Sequence, residues 1–421
     1  MIKIKNLAAV ILVSALLVLP GCRDAAPVQT DTTDSGSEWQ SGESVRPAST
    51  QPVSGKLIPD TIIETSDRVE PVDGVLLHVI ACGDNLIHPN IYMDAAIRGT
   101  AEKEYDFLPM YEYIRPYISE ADIAFINQET VMAGAEYGYS GYPCFNCPQQ
   151  LGLDLVEIGY DVINMANNHE LDKGESGYRS TLDFWHKQPV TLLGGHYDQN
   201  DFDDIRVTEY DGLRIAWLSY TYGTNGITLP YGSEMVVPYI DEERIVSDMQ
   251  RAKQIADMTI VSMHWGIEYT YDPIPDQRHL AQVIADNGAA VILGHHSHCL
   301  EPVEWIEGKD GNRTLCIFSL GNFACGQASP MTLVGGMLSF DISLVGGKYE
   351  ITSPLLTPTV IYYDWNWYNT RVYPLDMYSS DIAATHGLGN PSIYGQALTY
   401  DTAKNIVLGC IDPEFLPDYL K

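Results

Sequence analysis

The 421-residue chain is 45% hydrophobic and 19% charged, a globular composition long enough for one large core or two ordinary ones. Its 24 Lys+Arg stand against 56 Asp+Glu, a formal net charge of −32. That argues against a nucleic-acid or anionic-membrane binder, which needs a basic face, and suits solubility and attraction of cations.

The chain opens with the basic "MIKIK" and the apolar "NLAAVILVSALLVL", a run too short to be a comfortable membrane span. "LPGC" follows and resembles a bacterial lipobox, so residues 1–21 are expected to be a lipoprotein signal peptide and Cys22 the lipidated residue. This implies an anchored protein on the extracellular face of the cytoplasmic membrane. Residues 22–73 are rich in Ser, Thr, Asp, Pro and Gly and show no apolar periodicity, as in a disordered tether. Without Cys22 seven cysteines remain, an odd number that cannot pair fully. "PCFNCP" offers Cys144 and Cys147, read as a local disulfide or two plain thiols rather than a zinc or redox site.

From residue 74, short apolar runs alternate with stretches of helical length, the pattern of an α/β domain. Strands are expected at "VLLHVIACGD", "DIAFINQE", "YDVINMANNH", "VTLLGG", "LRIAWLSYT", "DMTIVSMHWG" and "AAVILGHHSH". Helices are expected at "DFLPMYEYIRPYIS" (limited by Pro109 and Pro116), "PQQLGLDLVEIG", "GESGYRSTLDFWHKQ", "DEERIVSDMQRAKQIA" and "PDQRHLAQVIADNG". The later segments, including "TLCIFSLGNF" and "YEITSPLLTPTVIYY", are strand-like. We assign 74–345 to one layered domain of mixed β-sheet flanked by helices, and 346–421 to a β-rich C-terminal extension packed on it. The aromatics of "VIYYDWNWYNTRVYPLDMY" are expected to serve that packing.

The polar residues fall where strands end. The run ends carry Asp84, Asn127 with Glu129, Asn168 with His169, His264, and His295, His296 and His298. Ligands of open α/β sheets bind outside the carboxyl ends of strands. Carboxylates, an amide oxygen and neutral imidazoles suit divalent Mn²⁺, Zn²⁺ or Fe²⁺, one ion or two. In an extended segment, His296 and His298 point to one side and His295 to the other. That spacing makes the first two ligands and gives His295 a structural role.

The ordered motifs "GDNLIH" (83–88), "INQET" (126–130), "NMANNHELDKGESG" (164–177), "HWGIEY" (264–269), "GHHSHCLEPVE" (294–304) and "FSLGNF" (318–323) resemble the CapA family. That family is linked to bacterial poly-γ-glutamate capsule synthesis, and its fold resembles the calcineurin-like metallophosphoesterases. The resemblance implies a metal set of Asp84, Glu129, Asn168, His264, His296 and His298, with Glu129 the bridging carboxylate. It makes His169 the proton donor to a leaving group, with Glu170 orienting it and Asp172 bracing the loop. His88, Asn127, His295 and Asn322 would be further ligands or site wall. One departure stands out: metallophosphoesterases begin with Asp-x-His, whereas Asp84 is followed by Asn85 and Leu86, and His88 lies four residues on. The implied activity is metal-dependent hydrolysis of a phosphoester or an anionic surface polymer, alongside membrane-bound synthase or exporter subunits. The alternative is a non-catalytic, lipid-anchored accessory subunit. No nucleic-acid partner is expected.

Overall fold

The computed structural model describes residues 73–389 and 396–421. The expected leader, Cys22 and the tether up to residue 72 lie outside the described residues, as do residues 390–395.

Two sheets carry the fold. The strands are β1 (Gly74–Asn85), β2 (Ile123–Asn127), β3 (Val162–Asn164), β4 (Thr191–Leu193), β5 (Arg206–Tyr210), β6 (Leu213–Thr221) and β7 (Met258–His264). They continue as β8 (Val291–His295), β9 (Val303–Glu307), β10 (Arg313–Ile317), β11 (Asn322–Ala324), β12 (Val334–Val345), β13 (Lys348–Tyr362) and β14 (Arg371–Pro374). The first sheet has the order β14-β13-β12-β1-β2-β3-β4, with β11 also paired to β1. The second has the order β5-β6-β7-β8-β10-β9. The strands β1 to β4 are mutually parallel, as are β6, β7, β8 and β10. The expected mixed α/β class is therefore what forms.

Alternation along the strands decides the layering. Leu77, Val79, Ala81, Phe125 and Val162 of the first sheet share one buried cluster with Ile215, Trp217, Ile260, Val291, Leu293 and Leu315 of the second. The intervening residues face outward. Ile80, Cys82, Ala124, Ile126 and Ile163 pack on the helices Gln150–Ile158 and Gly174–Trp185. Leu218, Tyr220, Val261, Met263 and Ile292 pack on the helices Glu242–Ile255 and Pro275–Asp286. The result is helix, sheet, sheet, helix. Each large side chain in these clusters contributes about 1.5–3 kcal/mol by leaving water.

Three expectations change. The boundary at 345/346 falls in the turn between β12 and β13, which pair antiparallel from Val345↔Lys348 to Val334↔Val360. The residues after 346 are thus strands of the first sheet as far as Pro374, and then helical segments, including Tyr400–Cys410, that close the inter-sheet core. "TLCIFSLGNF" is not one strand: β10 lies in the second sheet and β11 in the first, with Gly321 between them at φ +67°. "DFLPMYEYIRPYIS" forms a 3₁₀ turn at Leu108–Tyr111 and a short helix at Arg115–Glu120, each with a proline in its first turn. Cys147 is a free, buried thiol, so the CxxC pair forms no disulfide.

Where β1 meets β11 there is no room for a side chain. A Cβ on Gly83 would lie 2.0 Å from the Gly321 carbonyl oxygen. Gly83→Ala is expected to destabilise the protein by about 1–3 kcal/mol through overpacking, read from the shift in the urea midpoint at unchanged slope.

Candidate metal centre

At the carboxyl ends of the parallel strands the inner faces of both sheets change from apolar to polar. On β2 the inward series Ile123, Phe125 ends in Asn127, and on β3 Val162 is followed by Asn164. On β7 the series Met258, Ile260, Ser262 ends in His264; on β8 Val291, Leu293 ends in His295. Strict alternation on β1 would aim Asp84 outward with Cys82 and Ile80. A register shift between Cys82 and Asp84 re-aims it, the usual service of a bulge beside a site.

Asp84 and Glu129 are completely buried. Asp84 Oδ1 accepts from Asn127 Nδ2 at 2.8 Å, and Oδ2 accepts from the His296 backbone N–H at 3.3 Å. His298 Nδ1 lies 3.2 Å from the same Oδ2. Neither oxygen of Glu129 has a hydrogen-bond partner. His264 Nε2 stands 3.7 Å from Glu129 Oε1, and His298 Nδ1 stands 3.9 Å from Oε2. One ligand atom from each of Asp84, Glu129 and His298 falls within 4.8 Å of the other two. Asn168 Oδ1 is 2.9 Å from His264 Nε2.

The electrostatics follow from burial. Burial and then the Asp84 charge push the Glu129 carboxyl well above its ordinary range. Burial pushes Asp84 the same way, but the hydrogen bond and charge of His298 overcome it and hold Asp84 below its usual value. Burial lowers His298, yet Glu129 and the Asp84 hydrogen bond more than reverse this and leave it raised to about 9. Burial lowers His296 to about 3, helped by the His298 charge, and His295 to about 4 against the pull of Asp84. Burial and then His296 hold His264 well below its normal value. His264, His295 and His296 are thus neutral imidazoles with lone pairs to give.

This donor set fits a divalent cation. A buried carboxylate without a partner is costly, and a proton or a cation must relieve it. Neutral imidazoles beside two carboxylates supply the ligands such an ion takes. Asp84, Glu129, His264 and, with its proton released on binding, His298 would hold it, with Asn168 and His296 at the same pocket.

The remaining expected residues divide as follows. His169 Nδ1 is 2.8 Å from Asp172 Oδ2, and that oxygen also accepts from Phe145 N at 2.6 Å. Asp172 therefore both orients His169 and braces the loop. Glu170 is buried with no partner on either oxygen and is not the group that holds His169 Nδ1, contrary to expectation. His88 Nδ1 is occupied by backbone, 3.0 Å from Leu86 O and 3.1 Å from Gly326 N. His88 stands outside the Asp84–Glu129–His298 group. Asn127 Oδ1 accepts from Asn164 Nδ2 at 2.8 Å, so Asn127 braces Asp84 rather than offering its oxygen. Asn322 is the register partner of Asp84; its amide nitrogen bonds Gln327 Oε1 and Thr332 O, while its oxygen has no partner.

The GHHSH segment is not extended as expected. β8 ends at His295, and His296 and His298 have φ of +97° and +59°. His295 points inward, its ring stacked 5.7 Å from Phe125 and its Nδ1 3.6 Å from Asp84 Oδ1. It faces the site rather than away from it.

Several residues escaped the sequence reading. Phe145 packs edge-on against both His88 and His169, at 5.1 and 4.8 Å between ring centres. Asn225 touches Asn168 at 3.2 Å and His169 Nδ1 at 3.5 Å. Half-exposed Tyr222 and Tyr269 lie over His296 and His298, at 4.4 and 5.9 Å. Tyr269 closes the motif HWGIEY and Phe145 lies within PCFNCP, but neither is a ligand-type residue, while Tyr222 and Asn225 come from a loop without a motif just after a strand end.

A family model for the bacterial capsule synthesis protein PGA_cap matches residues 78–327, more than half of the chain. The chain belongs to that family. Every residue of the centre described above, from Asp84 to Asn322, lies within the matched span. Among relatives, the PGA biosynthesis protein CapA of Bacillus subtilis (strain 168) is 34% identical over 201 residues, covering 47% of this chain and 51% of that protein. The capsule biosynthesis protein CapA of Bacillus anthracis is 30% identical over 192 residues, covering 45% and 46%. The chain thus spans about half the length of these relatives. Among solved structures, the calcineurin-like phosphoesterase YfkN of Bacillus subtilis aligns over 80% of this chain and 96% of that one, with 13% identity and a TM-score of 0.42.

Cation binding at Glu129 would have a thermal signature. In chelator-treated protein, Mn²⁺ or Zn²⁺ at a hundredfold excess over Kd should add about 2.7 kcal/mol of stability, and Glu129→Ala should abolish the gain. Thermal scans with and without metal check both.

Proposed function

We propose that this PGA_cap protein is a divalent-metal-dependent hydrolase of phosphoesterase type, serving synthesis, export or processing of poly-γ-glutamate or another surface polymer. The observation that carries the reading is the wholly buried, unpartnered Glu129 carboxylate, with ligand atoms of Asp84 and His298 beside it. The relatives' names give the polymer setting: one is a PGA biosynthesis protein and the other a capsule biosynthesis protein. The lipobox-like "LPGC" supports a lipid anchor on Cys22 outside the cytoplasmic membrane, where membrane-bound synthase or exporter subunits would be partners.

When bound, a divalent ion activates water and neutralises charge developing on the substrate. The chain's own residues do the rest. Asp84 is fixed by Asn127 and the His296 backbone. Asp172 occupies His169 Nδ1, so Nε2 is the nitrogen that delivers a proton to the leaving group. Asn225 Oδ1 accepts from Asn168 Nδ2 and so holds Asn168 from a separate loop. Tyr222 and Tyr269 cover the histidines and limit water access.

One observation favours a second reading, the non-catalytic accessory subunit. The histidine of Asp-x-His is missing, and His88 spends its Nδ1 on backbone. Hydrolysis assays with a generic phosphodiester and with poly-γ-glutamate, run under Mn²⁺, separate the two. The enzyme reading expects His169→Ala to lower kcat by about 10²–10⁴-fold at parental metal content, with Asp172→Asn lower in kcat as well. Turnover absent from the parent would support the accessory role, and turnover unchanged in His169→Ala would remove His169 as the proton donor.

A further inference from the structure

The inward residue Ser219 lies near the end of β6, in the series Ile215, Trp217, Ser219. It is 8% exposed, and a hydroxyl there destabilises the core unless it is hydrogen-bonded. Its partner lies in the other sheet: Ser219 Oγ donates to Asn164 Oδ1. Asn164 Nδ2 donates to Asn127 Oδ1 at 2.8 Å, and Asn127 Nδ2 donates to Asp84 Oδ1 at 2.8 Å. Three hydrogen bonds therefore run from the second sheet, across β3 and β2, to a carboxylate of the candidate metal centre.

The direction of this chain is set at both ends. An ionised carboxylate only accepts, so Asn127 must present its NH₂ to Asp84 and its oxygen to Asn164. Asn164 must then turn its NH₂ to Asn127 and its oxygen to Ser219. The Ala166 backbone N–H, which only donates, lies 3.4 Å from that same oxygen and demands the same orientation. Ser219 is left with one role, donation.

We infer that Ser219 is a positioning residue for Asp84, acting from the opposite sheet through Asn164 and Asn127. Its hydroxyl holds both amides in the orientation that keeps Asp84 Oδ1 engaged and Oδ2 turned toward His298. With the hydroxyl removed, Asn164 Oδ1 keeps only the long Ala166 contact, and the amides lose the cross-sheet hold on their orientation. The consequence for cation affinity rests on the metal reading given above; the hydrogen-bond chain itself does not.

The test has two parts on the full chain. In metal-free protein, thermal unfolding is measured for the parent, Ser219→Ala, Asp84→Asn and the double variant. An amide in place of the Asp84 carboxylate no longer compels Asn127 to donate, so the Tm loss caused by Ser219→Ala should be smaller in that background than in the parent. Additive losses overturn the proposal, whether or not the site holds metal. Titration with Mn²⁺ then compares the parent with Ser219→Ala and Ser219→Thr. Affinity should fall about tenfold in Ser219→Ala, the lower end for residues supporting a ligand, and should be kept in Ser219→Thr, which retains the hydroxyl. Equal affinity in the parent and Ser219→Ala overturns the positioning role. A parent that binds no Mn²⁺ but shows non-additive unfolding supports the chain and removes the metal reading instead.

Discussion

Two carboxylates share one pocket from which water is excluded, and the rest of the site is arranged around that fact. Burying a charge costs several kcal/mol unless partners make it good. Asp84 is supplied with partners by the protein: an asparagine, a backbone N–H and a histidine. Glu129 is supplied with none. Such asymmetry is what a fold shows when one group is held as scaffold and the other is kept open for something that arrives. Of the two imidazoles beside Glu129, His264 is held neutral by burial, whereas His298 is raised by Glu129 and Asp84 together, and neither makes a hydrogen bond to Glu129.

The two-sheet architecture makes this possible. A single inward face runs from a dry centre, with Phe125 and Trp217 stacked 6.2 Å apart, to a polar rim a few residues further along the same strands. Strand alternation places Asn127, Asn164, His264 and His295 on that rim without any loop having to fold back. The bulge at Asp84 and the left-handed residues His296 and His298 are departures from regular geometry, and all of them serve the same pocket. Backbone strain of this kind persists only where the surroundings over-determine it.

Much of this is legible in the sequence because polar residues after apolar runs mark strand ends. Asp84, Glu129, His264 and His298 can be picked out that way, and the alternation of strand-like and helical segments reads correctly as α/β. What is not legible has physical causes. Alternation in an extended segment aims His295 away from its neighbours, whereas the strand stops at His295 and the next turn is left-handed. Asp172 rather than Glu170 holds His169 because the loop coils after His169, bringing the residue three positions on beneath the ring. β10 and β11 look continuous since nothing in "TLCIFSLGNF" except Gly321 signals a crossing between sheets. Residues 346–421 look separate because no family motif reaches them, yet residues 346 and 347 are only the tip of a hairpin within the first sheet. Tyr222, Asn225 and Tyr269 come from irregular segments whose place depends wholly on tertiary packing.

The central claim is that the pocket around Glu129 is built for a cation. Anomalous diffraction from crystals soaked with Mn²⁺ tests it most directly. The account predicts an anomalous peak bonded to Glu129, with Asp84 and His298 among its other ligands. A structure in which Glu129 is instead hydrogen-bonded to a protein donor, with no anomalous peak in the pocket at saturating Mn²⁺, would contradict it.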